Sequence, residues 1–304
     1  MRALVTGGGG FIGRHVVRAL VAAGAQVRCI TGPPASGLTT PAGPIEAFEA
    51  DICDTHTLQE LAADADVVVH LAGPASVALS FADPCGYVRV HVEGTASVLE
   101  ASRRAGVSRV VYVSSAEVYG NPDSNPVGEN HPLRPRSPYA AAKAGAEKLV
   151  ETYRHCYGQH AVVLRPFSIY GPGASPQSLI GRIVSQLRCN GDIVLEDLRP
   201  VRDFCFVSDF ARAVVYACSC RVAEGVFNIG SMEGTRVAEI ADLLRTAAGS
   251  DARIVEEPAP RRPCEVLQLV ADNRRAKMLL GWQPEIGVAD GLRSVLCGEA
   301  ACGS

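Results

Sequence analysis

The chain has no run of about 18 apolar residues, so no segment of it reads as a membrane-spanning helix. It has no basic cluster, and a formal charge of −3 gives no reason to expect a nucleic-acid partner or an acidic membrane surface. It has no Cys-x-x-Cys pair and no histidine group at zinc-ligand spacing, although eleven of its 304 residues are cysteine. Only Cys218 and Cys220 stand close together. The expectation is therefore buried free thiols in a reducing cytoplasm, with neither a disulfide framework nor a metal. Internal repeats and low-complexity tracts are absent as well. The opening, MRALVTGGGGFIG, passes from a short apolar stretch straight into glycines, unlike a secretory leader.

What remains is the composition of a globular protein, 47% apolar and 20% charged, long enough to bury a large core. Residues 2–6 predict a buried strand and Phe11 to Ala23 an apolar-periodic helix. Between them lies Gly7-Gly-Gly-Gly10-Phe11-Ile12-Gly13. Strand, glycine turn and helix together form the context in which a backbone can approach a pyrophosphate and present a helix N-terminus to it. The second strand, 26–31, ends at Thr31, where a carboxylate would ordinarily hold the ribose hydroxyls of NAD. Its absence leaves a 2′-phosphate unopposed, which favours NADP(H) with NAD(H) as the alternative. Strand 45–50 leads to Asp51-Ile52, placed to meet an adenine edge. Strand 66–71 is continuously apolar, as a strand buried on both faces should be, and runs into Leu71-Ala72-Gly73. A helix over 85–105 and a strand over 109–114 follow.

This alternation predicts an α/β fold, a Rossmann-type doubly wound parallel sheet, with ligands beyond the carboxyl ends of its strands. The strand over 161–165 closes a dinucleotide-binding domain, 1–165. Richer in Pro, Gly and Arg, residues 166–304 read as a smaller, loop-rich substrate lobe, partly interleaved with the first.

Ser137 and Pro138 precede Tyr139-Ala-Ala-Ala-Lys143 as a helix cap and first-turn proline would. Four residues apart on that helix, the phenol and the ammonium project from one face. A free phenol titrates near pH 10, so action near neutrality needs about 4 kcal/mol in favour of the phenolate. A neighbouring lysine cation and an oxidised nicotinamide could supply it.

The ordered set TGGGGFIG (6–13), HLAG (70–73), SSAEVYG (114–120), SPYAAAK (137–143), LRPFSIYGPG (164–173), VRDFCFVSDFARA (201–213), FNIG (227–230) and LGWQP (280–284) resembles the extended short-chain dehydrogenases/reductases, in their nucleotide-sugar epimerase/dehydratase branch. The resemblance implies that Tyr139 is the acid/base, Lys143 its electrostatic partner and ribose ligand, and Ser115 the hydroxyl that holds the reacting oxygen. Glu117 matches a position that is acidic in several sugar dehydratases and reductases. Arg202 and Arg262 match the arginines on the nucleotide diphosphate, and Ser168 a substrate contact. In the family His91 and Ser168 are usually Asn, and Ala116 is often Asp or Ser. Hydride transfer at C4 of a nucleotide-linked hexose is implied, expected first as 4-keto-6-deoxyhexose nucleotide reduction. The alternatives are a 4-epimerase with tightly bound NAD and then a 4,6-dehydratase. Relatives pair helices matching 85–105 and 137–157, which predicts a homodimer.

Overall fold

The computed structural model describes residues 1–32, 39–40, 43–220, 224–257 and 266–300. Seven parallel strands form the central sheet: β1 (Arg2–Thr6), β2 (Gln26–Thr31), β3 (Glu46–Glu49), β4 (Val67–His70), β5 (Arg109–Val113), β6 (Ala161–Pro166) and β7 (Gly225–Ile229). Across the sheet they lie in the order β7-β6-β5-β4-β1-β2-β3. The order reverses between β1 and β4, the point at which such sheets open a crevice for a ligand. Every residue of β4 and β5 is buried, because helices cover both faces.

On one face the helices Phe11–Ala22 and Val207–Ser219 supply Val16, Val17, Leu20, Phe210 and Val214. On the other, Thr55–Ala62, Gly94–Arg104 and Pro138–Tyr157 supply Leu58, Val98, Leu99, Ala146 and Val150. From sequence, Val98, Leu99, Leu149 and Val150 can serve either this core or a partner surface; Val98, Leu99 and Val150 are buried in the core, and Leu149 is partly buried against it.

Beyond residue 166 the chain is more regular than its Pro and Gly content suggests. The helices Leu179–Arg188, Val237–Ala247 and Val288–Ala300 pack around a core of their own, with Ile183, Ile240, Leu244 and Leu292 at its centre. A small four-stranded sheet joins Ser168–Tyr170, Val201–Phe206, Gly234–Arg236 and Gln268–Leu269. Helix Val207–Ser219 and β7 return to the central sheet, so the chain crosses between the two regions. Among the described residues no helix is long and apolar enough to cross a membrane. The nine described cysteines are all free, but only Cys29, Cys205 and Cys218 are buried, so the expectation of buried thiols holds for these alone.

The single tryptophan fastens the C-terminal region to the sheet. Trp282 is fully buried in the core, and its Nε1–H donates to the Asp209 carbonyl at 2.8 Å. The Asp209 carboxylate accepts the backbone N–H groups of Glu285 and Ile286, each at 3.0 Å. Trp282→Ala is expected to lower the unfolding free energy by about 3–5 kcal/mol. Trp282→Phe, which chiefly removes the N–H donor, should cost about 1–3 kcal/mol. Urea denaturation of the three proteins checks both values.

Candidate active site

The carboxyl ends of five adjacent strands carry most of the residues singled out by sequence. Gly7 follows β1 with φ of +74°, a conformation glycine adopts without strain. Gly10 caps the helix Phe11–Ala22 without a side-chain bond, so the first amides of that helix face the turn. A Cβ on Gly13 would stand 2.1 Å from the Gly7 carbonyl oxygen, so turn and helix can close together only at glycine. Thr31 ends β2, 4% exposed, and its buried Oγ1 has no hydrogen-bond partner. Asp51 and Ile52 follow β3; Asp51 pairs with Arg89 at 3.1 Å on the surface. Leu71, Ala72 and Gly73 follow β4, with the Leu71 and Ala72 amides bonded to Thr6 at 3.1 and 3.3 Å. An open glycine turn and an orphaned hydroxyl at the end of β2 fit a dinucleotide.

Ser114 and Ser115 follow β5, and Ser115 caps the short 3₁₀ turn Ala116–Tyr119 by accepting the Glu117 amide at 3.2 Å. The helix Pro138–Tyr157 starts where its signals predict, with Ser137 Oγ accepting the Ala140 amide at 3.1 Å. Tyr139 and Lys143 are both buried on its inner face. Burial pushes the Tyr139 phenol up to about 12, against the pull of a hydrogen bond from the Ser115 hydroxyl; Glu117 and Tyr87 reinforce the burial. Lys143 follows one turn later on the same buried face. Its Nζ donates to the Val113 carbonyl at 2.8 Å, and burial draws its own pKa down to about 7, opposed by Glu147. The chain's side chains alone therefore keep the phenol protonated, and the expectation from sequence joins the lysine to an oxidised nicotinamide.

One constellation carries no sequence-based role. Glu147, four residues beyond Lys143, is buried and accepts Ser114 Oγ at 2.5 Å. Arg165 donates to both of its oxygens, Nε at 2.9 Å and a terminal nitrogen at 2.6 Å. The other terminal nitrogen of Arg165 reaches the Tyr119 hydroxyl at 2.7 Å, which donates to Asn228 Oδ1 at 2.7 Å. The readable signal was the third member of the i, i+4 series Tyr139, Lys143, Glu147. Also unforeseen is the packing of Tyr87 and His91 edge-on against Tyr139, at ring-centroid distances of 6.2 and 5.4 Å.

The remaining candidates belong to other elements of the chain. Ser168 and Phe204 are ladder partners, and Arg202 stands two residues before Phe204 on its strand, so Ser168 and Arg202 share one face. Arg202 donates to the Val201 carbonyl at 3.1 Å. Arg262 lies outside the described residues. Among the described residues no group of three His, Cys, Asp or Glu is placed to hold a metal ion.

The profile of the NAD dependent epimerase/dehydratase family matches residues 3–230. The chain belongs to this family. Within it, the chain is similar to the UDP-glucose 4-epimerase of Mycolicibacterium smegmatis, 34% identical over 305 residues covering 96% of each chain. The structure of UDP-glucose 4-epimerase from Thermus thermophilus in complex with NAD is 31% identical, with a TM-score of 0.89 over 98% of each chain. The dTDP-glucose 4,6-dehydratase of Streptomyces venezuelae, with NAD bound, is also 31% identical, with a TM-score of 0.89 over 99% of this chain and 97% of that one. This epimerase/dehydratase family chain is an extended short-chain dehydrogenase/reductase, an enzyme with the seven-stranded Rossmann-like sheet described above.

Within the family site, the Glu147–Arg165 pair is buried, and removing one partner leaves the other charge unanswered. Arg165→Met should destabilise by about 3–5 kcal/mol, since it leaves a carboxylate buried without its cation. Adding Glu147→Leu should restore part of that loss. Urea midpoints of the single and double variants give the comparison.

Proposed function

We propose that the chain is a nucleotide-sugar 4-epimerase that keeps NAD bound through its cycle. The observation that carries this reading over a dehydratase is Ala116, which stands beside Glu117. Ala116 is 3% exposed and packed with Val118, Tyr119 and Phe167, so position 116 offers a buried methyl where a second acid would be needed to expel a C6 hydroxyl. The relatives reported above are epimerases and a dehydratase, two with NAD bound, which moves the preference from the reductase to the epimerase. For the same reason NAD is preferred here to NADP, although Thr31 sets no carboxylate against a 2′-phosphate.

Bound NAD would supply the hydride acceptor for sugar C4 and a positive charge beside the phenol. The glycine turn 7–13, including Phe11 and Ile12, would hold its pyrophosphate; Thr31, Asp51, Ile52 and the turn Leu71–Gly73 would line the remainder. Tyr139 would take the proton of the sugar 4-hydroxyl and return it. Ser115 would donate to the same oxygen, a position where a fixed donor gains most as charge develops. Lys143, poised near neutrality beside Glu147, would hold the ribose and favour the phenolate when charged. Ser168, Arg202 and Arg262 would grip the nucleotide sugar away from C4 and so fix the reacting carbon. Two copies would pair through the outer surfaces of Gly94–Arg104 and Pro138–Tyr157.

A 4,6-dehydratase is the second reading, favoured by Glu117, whose carboxylate acts on the Tyr139 phenol. Purified protein given UDP-glucose and no added cofactor is expected to yield UDP-galactose. Loss of water from dTDP-glucose would establish the dehydratase instead. Consumption of added NADPH by a 4-keto-6-deoxyhexose nucleotide, without epimerisation, would restore the reductase.

Tyr139→Phe should lower turnover by at least about a thousandfold, since it removes the proton-transferring group itself. Its affinity for NADH should stay within about threefold of wild type, as the glycine turn is untouched. A rate assay beside an NADH fluorescence titration measures both, and activity within tenfold of wild type would reject the assignment.

A further inference from the structure

Two buried histidines, His70 and His91, stand beside the site without a role in the chemistry above. Their hydrogen bonds run in one direction only. The Thr95 hydroxyl donates to the His91 carbonyl at 2.5 Å, so it can only accept from His70 Nε2 at 3.1 Å. His70 Nδ1 then carries no proton and accepts the Thr6 hydroxyl at 2.7 Å. Thr6 Oγ1 in turn accepts the Ala72 amide at 3.3 Å. At the other end His91 Nε2 lies 2.9 Å from the Pro74 carbonyl, which can only accept, so that nitrogen carries its proton. The path therefore leaves the turn Leu71–Pro74 at Ala72 and returns to it at Pro74.

His91 is the member that also faces the reacting side chain. Its ring meets Tyr139 edge to face, with centroids 5.4 Å apart and planes at 73°. The Tyr87 ring lies 5.8 Å from His91 and 6.2 Å from Tyr139, and its hydroxyl donates to the Ser76 carbonyl at 2.8 Å, just past the same turn. Gly73 has φ of +132°, and a Cβ there would stand 2.3 Å from His91 Cε1, so turn and ring are in full contact. Burial and the Lys143 charge pull the His91 pKa down to about 3, and burial holds His70 well below its ordinary value. Both rings are therefore neutral where such enzymes work, and the bond directions above stand.

We propose that His91 is a positioning residue: its Nε2–H fixes the Leu71–Pro74 turn while its ring edge fixes the Tyr139 phenol. One side chain thereby holds the cofactor cradle and the proton-transferring group in register. The inference rests on the roles given above to Tyr139 and to that turn.

Two variants separate the functions of the ring and of its N–H. His91→Phe keeps an aromatic edge against Tyr139 and removes the donor to Pro74. Its NADH dissociation constant should rise at least about fivefold, with turnover at saturating cofactor within about threefold of wild type. His91→Gln keeps a donor at the reach of Nε2 and removes the ring. It should bind NADH within about threefold of wild type but lose at least about tenfold in kcat, with KM for the sugar nucleotide unchanged. Fluorescence titration of the full chain with NADH, steady-state kinetics and a urea midpoint are recorded for each. This crossed pattern, without a matching loss of stability, is the expected result. Any other pattern overturns the proposal, including one in which both quantities fall together with the urea midpoint. The affinity measurement needs no turnover, so a wild type that binds NADH but acts on no sugar nucleotide would reject the proposed activity and still leave the His91→Phe affinity test decisive.

Discussion

A carboxylate sealed inside a protein must be answered by charge and hydrogen bonds, and the region around the site is arranged to answer Glu147. Removing an ion of this size from water costs several kcal/mol, which attraction to a partner roughly offsets when the geometry is good. Glu147 receives both arms of the Arg165 fork, the Ser114 hydroxyl, and the field of Lys143 one turn earlier. Those partners come from β6, the end of β5, and the helix Pro138–Tyr157 itself. Through the Tyr119 hydroxyl and Asn228 the same network reaches β7 and the Val127 carbonyl. The contribution to stability is modest beside the contribution to register. A slip of the helix by one residue along the sheet would break every bond to Glu147.

The same low-dielectric surroundings govern proton chemistry. Tyr139 is held protonated, Lys143 gives up its proton more readily than a free lysine, and His70 and His91 are neutral. Each is the response of an ionisable group to burial, and each moves toward its uncharged form. A site with so little mobile charge of its own responds strongly to charge arriving with a ligand, because little water is present to screen it. Ionisation of the phenol near neutrality would then need charge brought by a ligand.

The sheet was legible because its signals are local. Short apolar strands, a glycine turn and a Ser-Pro helix start each declare themselves within about ten residues. Tyr139 and Lys143 were legible because four residues on a helix is a fixed geometry. The Glu147–Arg165 pair was not, since it joins a helix to a strand that no periodicity relates. The predicted helix 85–105 is in fact Pro84–Val88, a π-helical turn at Arg89–Glu93 and Gly94–Arg104. The bond from the Thr95 hydroxyl to the His91 carbonyl, four residues back, lies across that junction. The region past 166 looked irregular because its prolines and glycines lie mostly between helices, while the helices themselves are amphipathic and well packed.

The contact between Gly73 and the His91 ring has an evolutionary consequence. With no room for a methyl and a backbone that disfavours one, position 73 cannot acquire a side chain while a ring occupies position 91. A smaller residue at 91 would open the space, but the turn would then lose what fixes it. The two positions are therefore expected to change together or not at all. In an alignment of close descendants of this chain they should appear as a covarying pair.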